Sequence, residues 1–447
     1  MITQEEKTLA RECLDFARSA GAQNCRITLT KSTEDQIATL DGEIDKVTRC
    51  ADRSMNIALF VDGRYGAFSI NKLERGALKD FIARAADTVR MLAPDEFRVL
   101  PASGNCCKTA VTGVELDSYD PSYQQVDAEL RRRRAIDAAV FGRCPDLPEG
   151  ARLISEEGEY SDSEYDVYVI DSQGLECRHT ETSFDYGVEV TIEDSRGNKY
   201  SDYWWTSASR QKEFDPSGCG MTAIERACAQ IGAKPAKSGK YNMVVAPNVS
   251  SRLVSPLLNA LNGYSLQQGN SFLVDSLGKT VFSENLTILD DPWRKGESGS
   301  KLFDTEGVAT YEGPIIENGV VKRYFVNTYM SGKMNLPLTG EDAVRPRLLA
   351  SPHDGMDADG LMELCGSGIL VTDFNGGNCN PATGDFSYGI SGQLFKNGKA
   401  VRPVSEMLIT GNFLTLWKNL IGAGTDFRRC AAKLIPSLAF KEVDFSG

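Results

Sequence analysis

The sequence predicts an α+β protein of two domains: an N-terminal mixed α/β domain over 1–232 and a C-terminal domain over 240–447 dominated by antiparallel sheet. Three observations carry this reading. Runs of alternating apolar and polar residues are joined by tight-turn signals at Asp62-Gly63, Asp171-Ser-Gln-Gly174, Asp194-Ser-Arg-Gly197 and Asn397-Gly398. Segments with helical periodicity interrupt those runs. Between the halves, Ala233–Gly239 has a proline, a glycine and no large apolar residue, which is linker composition.

The elements follow in order. Thr3 and Glu6 make a capping-box pattern ahead of Leu9, Cys13, Leu14, Phe16 and Ala17, so residues 3–20 read as an amphipathic helix. Strands are expected near 25–31, 35–40, 43–50 and 55–61. Asp62-Gly63 then turns the chain into a strand over 64–70. Helices are expected near 73–92 and 121–141. Residues 151–210 read as antiparallel hairpins, with His179 at a surface strand position. A helix near 218–231 stops at Gly232. After the linker and a strand at Tyr241–Ala246, Val249, Leu253, Val254, Leu257, Leu258 and Leu261 recur at helical spacing, with Asn248 as N-cap and Gly263 as stop. Asp357 caps a short helix over Ala358–Cys365, within a β-rich remainder.

Composition bounds the function. The chain has 447 residues, 41% hydrophobic and 25% charged, which is ordinary globular usage. No apolar run reaches the ~18–20 residues of a membrane span. The charged N-terminus, Met1-Ile-Thr-Gln-Glu-Glu-Lys, lacks a signal-peptide core, so a cytoplasmic protein is expected. Net charge is −13, which argues against direct nucleic-acid contact, since that rests on clustered positive charge. The one basic run, Arg131–Arg134, lies among Asp127, Glu129 and Asp137 and reads as a solvated helix face. None of the twelve cysteines forms Cys-x-x-Cys, and most are expected to be reduced core thiols. Lys295–Lys301 lacks phosphate-loop order, and no G-x-G-x-x-G or G-x-S-x-G is present. Asp354, Asp357 and Asp359 around His353 lack calcium-loop spacing. Asp304, Glu306 and Asp385 form a carboxylate cluster only if the fold unites them.

The most informative stretch is 368–412. Gly376, Gly377, Asn378, Asn380-Pro381 and Thr383-Gly384-Asp385 crowd turn-forming residues between a β-branched run and a hairpin. Such density suggests a rigid, specified loop. A long β-connection without chemistry is the other reading.

This block, with Thr383-Gly-Asp-Phe-Ser and Arg402-Pro-Val-Ser-Glu-Met, resembles the C-terminal signature of the TldD/PmbA family, also called "modulator of DNA gyrase". Phe303-Asp304-x-Glu306-Gly307 and Asn327-Thr328-Tyr329 fit it too. The family has two related subunits. One carries a His-Glu-x-x-x-His metal motif and is a metalloprotease; its PmbA/TldE-type partner lacks the motif. This sequence has two histidines, His179 and His353, and no such motif. On the resemblance, Ser255 and Ala260 stand where the histidines would be, Pro256 replaces the glutamate, and Cys430 lies near the place of a cysteine third ligand. Serine and alanine cannot replace two zinc histidines, and proline offers no base.

The resemblance therefore implies a non-catalytic subunit of a cytosolic peptidase acting on small unfolded peptides, with the loop from Gly376 to Asp385 framing a cleft or a subunit interface. No cofactor is expected in this chain, with zinc supplied by a TldD-like partner in a heterodimer. A homodimeric peptide-binding or scaffold protein is the alternative. A metal-independent enzyme using Cys379 or Cys430 needs His179 or His353 as base. Neither direct nucleic-acid binding nor a membrane is expected.

Overall fold

The structure, a computed structural model, describes residues 1–143, 147–350 and 355–447. His353, Asp354 and Cys144 lie outside the described residues. The α+β expectation holds, with extensive sheet and shorter helices.

The first half comprises α1 (Gln4–Ser19), β1 (Asn24–Leu40), β2 (Glu43–Val61), β3 (Arg64–Ile70), α2 (Arg75–Arg90), α3 (Ala128–Asp137), β4 (Arg152–Asp171), β5 (Glu176–Glu193), β6 (Lys199–Ala208) and α4 (Cys219–Cys228). Its strands form one antiparallel sheet in the order β3-β2-β1-β4-β5-β6. The capping box forms: Glu6 N donates to Thr3 Oγ1 at 3.2 Å and Thr3 N to Glu6 Oε2 at 2.8 Å. The expected breaks near 31–35 and 50–55 do not occur. Polar residues such as Lys31 and Glu34 continue β1 because β2 and β4 pair it on both sides and satisfy its backbone. The helix expected over 121–141 is also corrected. A 3₁₀ turn at Pro121–Gln125 ends near Val126, and Asp127 starts α3 by accepting from Leu130 N at 2.8 Å.

Period-two alternation gives the long sheet two separate tasks. Ile27, Leu29, Ile57, Leu59, Tyr168 and Ile170 face α1 and α2. Further along, Ile37, Tyr160, Tyr186 and Val188 pack with α3 and α4. The alternate residues, including Arg26, Thr28, Val167, Val169 and His179, face loops of the second half.

The second half runs β7 (Gly239–Val245), α5 (Ser251–Ala260), α6 (Gly263–Gln267), β8 (Ile288–Asp290), β9 (Gly313–Glu317), β10 (Val320–Val321), α7 (Thr328–Met334), β11 (Pro346–Leu348), α8 (Ala358–Cys365), β12 (Ser367–Phe374), β13 (Asn378–Cys379), β14 (Asp385–Lys396), β15 (Lys399–Asn412), α9 (Phe413–Lys418), β16 (Leu420–Ala423) and β17 (Leu438–Ser446). A small sheet runs β10-β9-β8-β11. In the larger one, β12-β7-β17-β15-β14, strand β12 also pairs with β14, so the sheet closes on itself. The β12–β7 pair is parallel; the other pairs in the ring are antiparallel. Met243, Val245, Ile369, Val371, Ile390 and Ile409 belong to one core cluster with the apolar side of α5. At the Asn397-Gly398 hairpin both residues have positive φ, 50° and 73°, as a tight hairpin requires.

Two expected caps of α5 are corrected. Asn248 donates to Thr372 O at 3.4 Å instead, and the residue preceding the helix is Ser250. Gly263 does not stop α5 but opens α6. There its missing Cβ admits Phe325 O, which would lie 2.9 Å from a methyl group.

Candidate functional site

Helix α5 buries Leu253, Val254, Leu257 and Leu258 and leaves Arg252 and Asn259 exposed. Ser255 lies half-buried at the boundary. Its Oγ donates to Ser251 O at 2.9 Å and accepts from Lys433 Nζ at 2.8 Å. Pro256 follows and brings no ionisable group. Ala260 is buried at 3% exposure. Cys430 is half-buried beside Arg428, whose guanidinium lies 4.1 and 4.3 Å from the Trp204 and Trp205 ring centres.

These residues do not fit a zinc ion. Ser255 is the one oxygen donor among them, and an ammonium already occupies it. A fixed positive charge beside a would-be ligand opposes a divalent cation. Among the described residues, no group of three His, Cys, Asp or Glu side chains is placed to hold a metal.

The turn-rich loop lies against the same helix. Arg252 donates to Gly377 O at 3.4 Å, and its guanidinium sits 5.2 Å from the Tyr388 ring centre. Gly376, Gly377 and Gly384 all have positive φ, of 79°, 93° and 80°. Asn380 Oδ1 accepts from Ala382 N at 3.0 Å, and Asn380 O from Gly384 N at 2.8 Å. Thr383 Oγ1 donates to Asp385 Oδ2 at 2.7 Å, and Asn412 Nδ2 to Asp385 Oδ1 at 2.9 Å. The Asn412 and Thr383 bonds hold the Asp385 carboxyl below its ordinary pKa. Asn378, Asn380, Thr383 and Asp385 are exposed, so the loop is a rigid surface feature.

Asp385 is therefore engaged within its own loop, not with Asp304 and Glu306. Those two lie instead beside Glu341. Asp304 Oδ1 accepts from Glu306 N at 2.9 Å and Val308 N at 3.0 Å. Its Oδ2 is wholly buried and has no hydrogen-bond partner among the described residues. Burial, with the Glu306 and Glu341 charges adding to it, pushes the Asp304 pKa up to about 7.

Asp304 lines a cavity of about 660 Å³ between the long sheet and the second half. The sheet contributes Arg26, Thr28, Tyr165, Val167, Val169 and His179; the facing loops contribute Lys301, Phe303, Glu341 and Asp342. His179 is 5% exposed, which corrects the surface placement. The loops of the second half cover that face of β5. Its Nε2 lies 3.2 Å from Glu181 Oε2. Sequence reading missed this cavity because its walls lie more than 100 residues apart along the chain. Of its lining, sequence reading had named Phe303 and Asp304, through the Phe303-Asp304-x-Glu306-Gly307 motif, and His179, placed at the surface.

The Arg131–Arg134 run is also corrected. Arg131 is buried and forks onto Asp162 at 2.7 and 2.8 Å, with Asp35 at 3.1 Å. Arg134 donates to Tyr160 OH at 2.8 Å and Gln211 Oε1 at 2.6 Å. Only Arg132 and Arg133 of the four are solvated. Asp35 and Asp162, on separate strands, draw the helix inward.

An open six-stranded sheet joined to a closed one, with a core helix beside a glycine-rich loop, defines a two-domain α+β protein. Residues 119–231 match the PmbA/TldA metallopeptidase central domain and residues 238–447 the C-terminal domain. The chain belongs to the PmbA/TldD family. It is 27% identical to Metalloprotease PmbA of Escherichia coli O157:H7, over 98% of this chain and 95% of that protein. A solved structure from Bacteroides thetaiotaomicron, described as a modulator of DNA gyrase, is 38% identical, with a TM-score of 0.94 over 100% of both chains. TldE from Thermococcus kodakarensis, at 19% identity, shares the fold with a TM-score of 0.82 over 98% of this chain and 100% of that one.

Proposed function

We propose that this chain is the non-catalytic subunit of a cytosolic metalloprotease complex that processes small unfolded peptides. A TldD-like partner supplies the zinc and the general base. The observation that carries this reading is the Lys433–Ser255 contact at 2.8 Å, which puts an ammonium at the position assigned to the first metal-binding histidine. Peptide hydrolysis needs an activated water and a polarised carbonyl. Ser255, Pro256 and Ala260 supply no base and no metal donor set. This chain's part is to position: α5 keeps its packed face, and the loop from Gly376 to Asp385 presents exposed, internally bonded side chains for recognition. The net charge of −13 and the internal pairing of Arg131 and Arg134 support a partner other than nucleic acid. No helix among the described residues is long and apolar enough to cross a membrane.

The test mixes this chain with a family member that carries His-Glu-x-x-x-His and follows cleavage of an unstructured peptide. Cleavage is expected only in the mixture, and a chelator abolishes it. Chelator-resistant cleavage by this chain alone overturns the assignment. A stable self-dimer that leaves the partner inactive favours the homodimeric binding role.

A further inference from the structure

Three free thiols, Cys106, Cys107 and Cys177, pack in one cluster away from the site described above. The Cys177 thiol, on β5, donates to Cys107 O at 3.3 Å and is also hydrogen-bonded to the Cys107 sulfur. Thr109 Oγ1 lies 3.6 Å from that sulfur. The second half holds the segment from its other side: Cys107 N donates to Gly307 O at 2.9 Å, and Ala309 N to Asn105 O at 3.0 Å. Cys106 and Cys107 line a separate cavity of about 260 Å³. Its charged groups are Lys108 on the same loop, Asp171 at the end of β4 and Glu176 at the start of β5. Cys177 does not line the cavity and is 1% exposed, against 5% for Cys107. A small molecule entering the cavity therefore meets Cys107 first, with Cys177 directly behind it.

The three sulfurs are in unlike states. The bond from Cys177 holds Cys107 well below the ordinary thiol range although burial opposes it, and the Thr109 hydroxyl and the Thr109 and Ala110 N–H groups add to the lowering. Cys177, the donor in that bond, is pushed up, and burial raises it further. Burial and the Asp171 and Asp304 charges also raise Cys106, against the opposing charges of Arg26 and Lys108. One sulfur is thus poised as a nucleophile, and the thiol that touches it keeps its proton.

We propose that Cys107 is a hydroperoxide-reactive thiol and Cys177 its resolving partner, the two closing into a disulfide. The Cys107 thiolate attacks one peroxide oxygen and the O–O bond breaks. Cys107 becomes a sulfenic acid, and the departing oxygen takes a proton from solvent to leave as water or an alcohol. Cys177 no longer shares its proton with a thiolate once Cys107 is oxidised. Its sulfur then attacks the sulfenic sulfur, the S–S bond forms, and the expelled hydroxide leaves as water with the Cys177 proton. Two thiols are oxidised and one hydroperoxide is reduced to water or an alcohol, with one further water released. Cys106 stays outside the reaction because its thiol donates to Ala102 O at 3.6 Å and no group holds its anion.

The test treats the full chain with an equimolar amount of hydrogen peroxide between about pH 6 and 8, alkylates the remaining thiols and maps the non-reduced digest by mass spectrometry. A Cys107–Cys177 disulfide is expected, and dithiothreitol reverses it. At the acid end Cys107 should oxidise about tenfold faster than the exposed Cys50 of the same chain. Its rate should change less than about threefold across the range, where an ordinary thiol speeds up roughly fiftyfold. C106S should leave the disulfide in place. C177S should stop at the sulfenic acid, captured on Cys107 by dimedone. Circular dichroism checks the folding of both variants, and the parent chain alone decides if either misfolds. Oxidation of Cys107 no faster than that of Cys50 overturns the proposal. So does a disulfide that joins Cys106 instead, or one that forms only in urea. A Cys107 rate that climbs with pH as steeply as that of an ordinary thiol overturns it as well. No peptide or partner is present, so these outcomes are independent of the mixing assay.

Discussion

Arg131→Ala tests whether the basic run is structural. The substitution removes two charge-assisted bonds to Asp162, at 2.7 and 2.8 Å, and the 3.1 Å approach to Asp35. The Asp162 side chain has 0% exposure, so water cannot replace what it loses. Tyr160 OH, at 3.0 Å, still donates to that carboxylate. Burial works against the Arg131 charge, yet the Asp162 bonds and the two carboxylates more than offset it and raise the guanidinium pKa. Breaking a buried pair from one side costs about 3–5 kcal/mol, because the stranded charge stays buried. For a unit of roughly 200 residues, that lowers the melting midpoint by on the order of 10 °C. Differential scanning calorimetry of Arg131→Ala and Arg132→Ala measures it. Arg132 contacts Glu129 in solvent at 2.8 Å, so its variant should melt with the parent. Replacing both partners, R131M/D162L, should recover much of the loss. Equal melting of Arg131→Ala and Arg132→Ala would refute the reasoning.

Other outcomes follow from the same structure. Gly384→Val should destabilise by roughly 2–4 kcal/mol, because it adds left-handed backbone strain at φ 80° to a Cβ only 3.0 Å from the Phe272 ring. Asp385→Ala, on the exposed face, should leave the melting curve nearly intact but weaken assembly with the partner; a chemical melt and a pull-down separate the two. The raised pKa of Asp304 means the unfolded chain releases that proton near pH 4 and the folded one near 7. The fold therefore loses stability as pH rises between those values, and Asp304→Asn should melt progressively higher than the parent from pH 4 to 8. A constant offset at every pH contradicts this. Metal analysis after dialysis should find well under one zinc per chain, and one tightly held zinc lost in Cys430→Ala would overturn the assignment of the α5 positions.

Local signals were legible where the determinant is local. Thr3 with Glu6, Asp357 before Ala358 and Asn397-Gly398 each specify a cap or a turn within a few residues, and each forms as read. Signals failed where tertiary partners decide. Lys31 to Glu34 look like a break until two neighbouring strands flank them. Gly263 has the chemistry of a helix stop, but Phe325 and Met330 crowd it into opening the next helix. Of the candidate site, the rigid Asn380–Asp385 turn was readable from its residue types. The Lys433–Ser255 contact spans 178 positions, and no local pattern announces it.

The long sheet writes two messages on one strand. In β1, Ile27 and Leu29 serve the helical core while Arg26 and Thr28 line the cavity; in β4, Tyr168 and Ile170 alternate with Val167 and Val169 in the same way. A single inserted or deleted residue in either strand exchanges the two messages, sending Arg26 into the core and Ile27 into the cavity. Such sequences can drift by substitution but not by length. Among relatives, gaps should therefore gather at turns such as Asp41-Gly42 and Asp194–Gly197, and β1 and β4 should keep their length even where little identity survives.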